Sequence, residues 1–446
     1  MKHEIANWGN YPVVTADEFL PSFRSEIPSL LQQKTEWVAR GNGRCYGDAS
    51  LAENVITTTN LKRIIDFDHE LGIVNCEAGV MLDQLLEVIV PHGWFLPVTP
   101  GTKFITIGGA VASDIHGKNH HVDGSFSNHI VSMQLMLADG SLLLCSATEH
   151  PDLFWATCGG MGLTGIITTV RFRLKKIETS YIKQLQLKAR NLEEILDMFE
   201  QYKHYTYSVA WIDCVKQGKG MGRSILMLGE HASLHDLSEK QKRKPLQVFN
   251  KSLFTFPFNL PSISLNKFTI GVFNTLFYAK NTRKEIHNVI PYDPFFYPLD
   301  AIFDWNKMYG KAGFVQYQFV LPMHARKAMV DIFNRIASKG FASFLAVLKT
   351  FGQQDSMIGF PMEGFTLALD IPIRPGLFEF LDELDAIVLA NGGRIYLSKD
   401  ARMKAEMFKK SYPHIGEFVN VLKQYNSAGR INSALGERLG LSGQSH

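Results

Sequence analysis

Between Pro100 and Asn128 the chain reads P-G-T-K-F-I-T-I-G-G-A-V-A-S-D-I-H-G-K-N-H-H-V-D-G-S-F-S-N, with glycines at Gly101, Gly108, Gly109, Gly117 and Gly124. Small residues (Ala110, Ala112, Ser113) fill the gaps between them. With so few Cβ atoms in the way, the main chain can approach a ligand closely and offer its N–H groups. Lys118, His116, His120 and His121 stand in the same run. Backbone donors, a fixed cation and titratable rings together point to an electron-rich, phosphate-bearing partner. A Gly-rich surface loop is the simpler reading, and two further glycine runs weigh against it.

The first is G-N-G-R-C-Y-G-D, from Gly41 to Asp48, after the strand-like T-E-W-V-A-R and before a strand candidate at Val55–Thr59. It predicts a tight loop suited to wrapping a diphosphate. Its G-x-G-x-x-x-G spacing, with no helix pattern following, does not fit the dinucleotide fingerprint. Gly160, Gly162 and Gly165 do match G-x-G-x-x-G. There, however, a helix pattern precedes and a strand follows, the reverse of what a pyrophosphate on a helix N-terminus needs. That run is a loop with room for ligand contact, not a Rossmann turn.

A chain of 446 residues has the length for two to three domains. A formal charge of +3 and no nucleic-acid-reading motif argue against a nucleic-acid partner. The five cysteines (Cys45, Cys76, Cys145, Cys158, Cys214) are odd in number and include no C-x-x-C, which reads as reduced thiols in a cytoplasmic setting. The N-terminus lacks the apolar region of a signal peptide, and no apolar run is long enough to span a bilayer. One segment stands out. Residues 253–278 are aromatic-rich, are interrupted by Pro257, Pro261 and Gly271, and follow the basic run Lys240, Lys242, Arg243, Lys244. They read as a lid or as a peripheral dock against anionic headgroups at the inner membrane face.

Periodicity predicts a helix in M-L-D-Q-L-L-E-V-I-V, a hairpin turned at Asp139-Gly140, a helix over Pro151–Thr157 and an alternating strand in I-I-T-T-V-R-F-R. Texture changes near Glu178–Tyr181, which places a domain boundary there. Beyond it come the helix L-E-E-I-L-D-M-F-E-Q-Y, the strand S-V-A-W-I-D-C and G-F-V-Q-Y-Q-F-V-L-P, with Gln316 and Gln318 on one strand face. A helix starting at M-H-A-R-K, strands F-L-A-V-L-K and F-T-L-A-L-D-I-P, a helix from Leu377 to about Ala390 and Y-L-S-K-D-A-R complete the pass.

Taken together, the three glycine runs resemble the flavoproteins of the vanillyl-alcohol-oxidase (PCMH-type) superfamily. D-I-H-G-K-N-H-H, L-F-W-A-T-C-G-G, G-F-V-Q-Y-Q-F and Y-L-S-K-D-A-R are similar to its branch that oxidises polyprenylphosphoryl ribose. The resemblance implies an α+β protein. A two-part FAD-binding domain, residues 1–179 completed by 394–446, would surround a substrate domain, 180–393, with an antiparallel sheet flanked by helices. FAD would be held by Gly41, Asn42, Gly43, Arg44, Cys45 and Tyr46, by Gly101, Thr106, Ile107, Gly108, Gly109, Ser113, Asp114, Ile115 and His116, and by Ile167 and Tyr396. Many superfamily members carry at the Tyr46 position a histidine bonded to the flavin, so tyrosine there implies non-covalent FAD. Substrate would meet Lys118, Tyr309, Gln316, Gln318, Lys349, Thr366 and Lys399. Two positions depart from the branch: Ala368 stands for a cysteine that covalent inhibitors target, and Thr366 for an asparagine. The implied reaction oxidises the ribose 2′-hydroxyl to a keto sugar, the first half of an epimerisation to arabinose for the cell envelope. A quinone-type acceptor and an NAD(P)H-dependent reductase partner would complete it. Other superfamily members oxidise other sugars or alditols, and a non-catalytic binding protein on this fold is the remote alternative.

Oxidising a secondary alcohol needs a C–H aimed at the flavin, a group to take the hydroxyl proton, and charge to steady the product. Lys399 could bond the reacting hydroxyl, against the simpler reading of a surface lysine paired with Asp400. His116 is a candidate proton acceptor or a packing residue, and Tyr46 is a third candidate for the catalytic set. A metal site at His116, His120, His121 and His129 is disfavoured, because Gly117 opposes the helix an i, i+4 pair needs and no H-E-x-x-H frame exists.

Overall fold

The computed structural model describes residues 2–250, 254–261, 264–281, 283–341, 343 and 345–441. Two sheets occupy the first part of the chain. A four-stranded sheet runs in the order Lys2–Ala6, Val13–Phe19, Asn54–Thr57, Val38–Arg40. A five-stranded antiparallel sheet runs Ile64–Asp68, Ile73–Glu77, Ile166–Arg173, Ile130–Met136, Leu142–Cys145. The Gly41–Asp48 loop therefore leaves the end of Val38–Arg40, a strand paired parallel to Asn54–Thr57.

The third sheet has eight antiparallel strands, ordered Glu285–Pro291, Tyr181–Ala189, Ser224–His231, Tyr207–Ile212, Ala346–Phe351, Gly364–Pro372, Phe314–Leu321, Arg394–Ile395. Gly364–Pro372 is buried at every position, as its largely apolar run requires, and it carries Thr366 and Asp370 into the interior with it. Helices cover the sheet with single apolar faces. Leu192, Ile195, Leu196 and Phe199 are buried in the helix Leu192–Gln201, whose Asn191 cap accepts from the Glu194 N–H. Leu377, Phe380, Leu381, Leu384 and Val388 do the same in Leu377–Ala390.

The short-range expectations hold at Pro151–Thr157, at Leu377–Ala390 and at the Asp139-Gly140 turn, where Asp139 Oδ1 accepts from the Ser141 N–H. Three differ. The run Pro100–Asn128 is not all loop: Ile107–Ala112 is a short helix whose Thr106 hydroxyl accepts from the Gly109 N–H. The aromatic segment is not interrupted at Gly271, which lies inside a helix, Lys267–Lys280. Leu253, Ser262 and Ile263 of that segment, and Phe344 of the F-L-A-V-L-K strand, lie outside the described residues. The basic run does not neighbour the helix. Pro245 O accepts from Ser180 N–H beside the start of Tyr181–Ala189, whereas Tyr278 bonds Ala189 at that strand's far end.

The returning chain is tied to the first glycine loop. Tyr46 N–H donates to Ser398 O (2.9 Å), and Arg438 holds Asp48 through two nitrogens and Asp400 through one, each at 2.8 Å. These ties fix where the side chains between them point.

Candidate active site

Three glycine segments and one face of the eight-stranded sheet enclose a cavity of about 490 Å³. Gly41–Tyr46 supplies one wall, Gly101, Thr106, Gly108, Gly109 and Ser113 a second, and Gly162, Gly165 and Ile167 a third. The sheet wall follows from register. Val209 pairs with Met227, Trp211 with Val347, Val347 with Ala368, and Ala368 with Gln318. Because strand side chains alternate, this row and its i+2 neighbours Lys349 and Gln316 face the same way. The wall is thus polar at Gln316, Gln318 and Lys349 and apolar at Val347, Trp211, Val209 and Met227.

Tyr396 joins the parts, its N–H donating to Gln318 O and its hydroxyl to Ser113 O, both at 2.9 Å. Lys399 lies with its Nζ 3.8 Å from the centre of the Tyr46 ring. Asp400 turns away from it onto Arg438, so the surface-pair reading of Lys399 fails. Burial lowers the Lys399 ammonium, and the Asp370 carboxylate draws it part of the way back. Asp370 is itself raised by burial, and its Oδ1 accepts from Gln316 Nε2. Burial also holds the Tyr46 phenol neutral, well above its usual range.

Burial drives His116 well below the usual imidazole range, so its ring is neutral. Gln318 Nε2 lies 3.1 Å from His116 Nε2, which therefore accepts and leaves the ring proton on Nδ1. That Nδ1 is buried and has no partner among the described residues. Burial, then the neighbouring Lys349 charge, pushes Lys118 down to about 7, while burial alone takes Lys349 to about 8.

Of the expected cofactor contacts, Gly41, Asn42, Gly43, Arg44, Cys45, Tyr46, Gly101, Thr106, Gly108, Gly109, Ser113, Ile115, His116, Ile167 and Tyr396 line the cavity, as do Lys118, Gln316, Gln318, Lys349 and Lys399. Four residues do not. Ile107 packs its side chain into the core. Asp114 is a buried staple, accepting from Ser125 Oγ, the Ser127 N–H and Gln354 Nε2. Tyr309 lies behind the wall, stacked on Phe314 at 4.1 Å. Thr366 is fully buried and accepts from Gln318 Nε2 at 3.3 Å, so it supports a wall residue. Asp370 was not anticipated, although a carboxylate inside the apolar F-T-L-A-L-D-I-P is a legible anomaly. The histidines disperse: His120 faces Gln354, His121 the Tyr205 carbonyl and His129 the Asp123 carbonyl. No group of three or more potential ligands among the described residues is placed to hold a metal ion.

The donors fit an isoalloxazine and its pyrophosphate. Gly101 lines the cavity, and a Cβ added there would meet no protein atom within 4 Å. The orphaned His116 Nδ1–H needs an acceptor there, as a buried donor must have one.

Residues 26–146 match the FAD binding domain family. The chain is 40% identical over 414 residues to a decaprenylphosphoryl-β-D-ribose oxidase of Mycolicibacterium smegmatis, covering 91% of this chain and 89% of that one. It is 30% identical over 378 residues to an uncharacterised Streptomyces coelicolor protein, covering 81% of this chain and all of that one. Among solved structures, a variant of BBE-like 1 from Physcomitrella patens superposes with a TM-score of 0.65 at 14% identity, over 93% of this chain and 89% of that one. Fold and site thus define an FAD-dependent oxidoreductase with a PCMH-type FAD-binding fold. Within that class, the chain belongs to the decaprenylphosphoryl-β-D-ribose oxidase family.

Proposed function

We propose that the enzyme oxidises the 2′-hydroxyl of a polyprenylphosphoryl-β-D-ribose to the 2′-keto sugar. This is the first half of an epimerisation that an NAD(P)H-dependent reductase completes. The observation that carries the reading is the lysine set at the polar end of the cavity. Burial lowers Lys349, which has no ion pair among the described residues, and Lys118, whose Nζ donates to the Phe295 carbonyl, is near enough to feel its charge. A desolvated ammonium without an ion partner at Lys349 favours an anion from outside the chain, and the substrate phosphodiester supplies one.

FAD, which the glycine walls would hold, would supply the hydride acceptor that oxidation at C2′ needs. Lys399 Nζ takes the hydroxyl proton, since burial gives it the neutral fraction a general base requires. Asp370 holds Gln316, and Gln318 faces His116, so both glutamines present fixed amides to the sugar. His116 is neutral with its Nε2 engaged, so it orients and does not accept the proton. Tyr46 carries no flavin bond, and the FAD is dissociable. A quinone-type acceptor would reoxidise the bound cofactor, and the enzyme meets its lipid substrate at a membrane surface. No helix among the described residues is long and apolar enough to cross a membrane, so that contact is peripheral.

The test is anaerobic bleaching of the flavin by a panel of polyprenyl-phosphate sugars. The ribose compound bleaches it, and free ribose does not. Bleaching by an alditol or a sugar lactone instead would reassign the substrate.

A further inference from the structure

The helix Lys267–Lys280 has three stripes. Ile270 and Asn274 are buried, with Asn274 Nδ2 donating to Asp213 Oδ1 at 2.8 Å, and Arg223 reaches Thr275 Oγ1 at 3.0 Å. Phe273 and Phe277 line the cavity while 45% and 36% exposed, so they stand at its mouth, Phe277 lying 4.8 Å from the Trp211 ring. Phe268, Val272 and Leu276 repeat every four residues on the outside and are 78%, 46% and 66% exposed. A helix that is apolar at a cavity mouth and apolar again on its outer side is not the pattern of a water-facing surface helix.

Its surroundings are basic. Lys267 bonds the Ala337 carbonyl that Gln217 also reaches, which brings the exposed Lys216, Lys219 and Lys339 around the helix N-terminus. Lys188 and Arg223 lie over the Tyr278 ring at 4.0 and 4.9 Å, with Lys280 exposed at the other end. Of the nearby acids, Asp213 pairs with Arg223 and Glu194 with Arg190, while Glu193 and Glu285 are exposed, so the excess of cations comes from the lysines. An apolar stripe ringed by cations matches an anionic lipid surface. Behind it the cavity wall runs unbroken from Phe277 over Trp211, Val347, Val209 and Met227 to Lys349, Gln318 and Gln316.

We propose that the outer stripe of the Lys267–Lys280 helix docks on an anionic bilayer, and that its inner stripe is the portal through which the polyprenyl chain passes from the bilayer to the flavin. The proposal rests on the polyprenyl-phosphate reading above and adds the route. The lipid follows the apolar half of the sheet wall while the phosphate and sugar reach the polar half, so the substrate never leaves apolar surroundings whole.

The test uses holoenzyme and the double variant Phe268→Ser/Leu276→Ser, whose substituted side chains point away from the cavity, with FAD absorbance and Tm checked first. Wild type sediments with vesicles of three parts phosphatidylcholine to one of phosphatidylglycerol, and the variant's partitioning falls about tenfold or more. Flavin bleaching by a ten-isoprene substrate embedded in those vesicles slows comparably, while bleaching by a soluble two-isoprene analogue stays within about twofold. Wild-type failure to sediment, or variant sedimentation equal to wild type, overturns the proposal. So does equal slowing with the soluble analogue. Should vesicle binding behave as expected while neither substrate bleaches wild-type flavin, the substrate reading fails and takes the portal with it, leaving the docking surface standing.

Discussion

At the flavin end of the cavity the tyrosines and glutamines of the wall are held by distant parts of the chain. At the Lys267–Lys280 end the wall is apolar side chain, held by a few contacts to Asp213, Ala189 and Ala337. Tyr46, Tyr396, Gln316 and Gln318 are each pinned by backbone or side-chain bonds reaching tens to hundreds of residues away. The difference follows from what each end handles. Hydride and proton transfer need geometry fixed to a fraction of an ångström, whereas a prenyl chain needs apolar area and room to slide. Substitutions at the first end therefore strike chemistry or cofactor, and those at the second strike access.

The largest effect is expected at Lys399. Lys399→Ala keeps yellow, FAD-bound protein but slows substrate-driven flavin reduction by about a thousandfold, the usual scale for losing a positioned base. Single-turnover absorbance measures it, and a normal rate removes the lysine from the mechanism. Next comes Gly101→Leu. Because nothing of the protein lies within 4 Å of a Cβ there, the apo fold tolerates the side chain. The side chain instead enters cofactor space and weakens FAD by about tenfold or more, the scale of overpacking. A flavin titration with apo-protein Tm alongside separates the two effects.

Asp370→Asn sharpens the electrostatic side of the comparison. The Asp370 charge raises Lys399 against its burial, so removing that charge lets the proton leave at lower pH. The rising limb of flavin reduction against pH shifts acid by about one unit, while the amide still engages Gln316. An unmoved limb means the two groups do not communicate. Smallest of all, Leu276→Ser changes unfolding stability by no more than about 0.5 kcal/mol, as an exposed position should, and denaturant unfolding measures it. A marked loss would show the outer stripe to be buried by this chain itself.

Locally punctuated elements were legible in the sequence. Pro at the start and Gly at the end mark Pro151–Thr157, and an apolar spacing without glycine marks Leu377–Ala390. The glycine walls were legible too, because bare main chain near a ligand has few other uses. What lay behind the wall was not. Tyr309 and Asp114 sit in segments that border the cavity, yet their side chains are turned inward by packing that no spacing rule encodes, and Thr366, on the same strand face as Ala368, is covered by Gln318. The Lys267–Lys280 helix was hidden by Gly271 and by β-branched and aromatic residues of weak helix propensity. Its Asn266 cap, accepting from the Phe268 and Thr269 N–H groups, and its anchor at Asp213 override that weakness. Asp370 was readable as a carboxylate in an apolar strand, but its link to Lys399 depends on two strands and a returning loop meeting.

The central claim is that one cavity joins a flavin end to a lipid end. It is tested most directly by anaerobic stopped-flow reduction of the enzyme's flavin with phosphoryl-ribose substrates bearing one, two, three or ten isoprene units. The limiting rate should stay constant, because the sugar meets the same lysine and glutamines each time. The half-saturating concentration should fall about tenfold or more over the first few units, as each adds buried apolar area along the Trp211 wall. A half-saturating concentration indifferent to chain length, or flavin that none of these substrates bleaches, would contradict it.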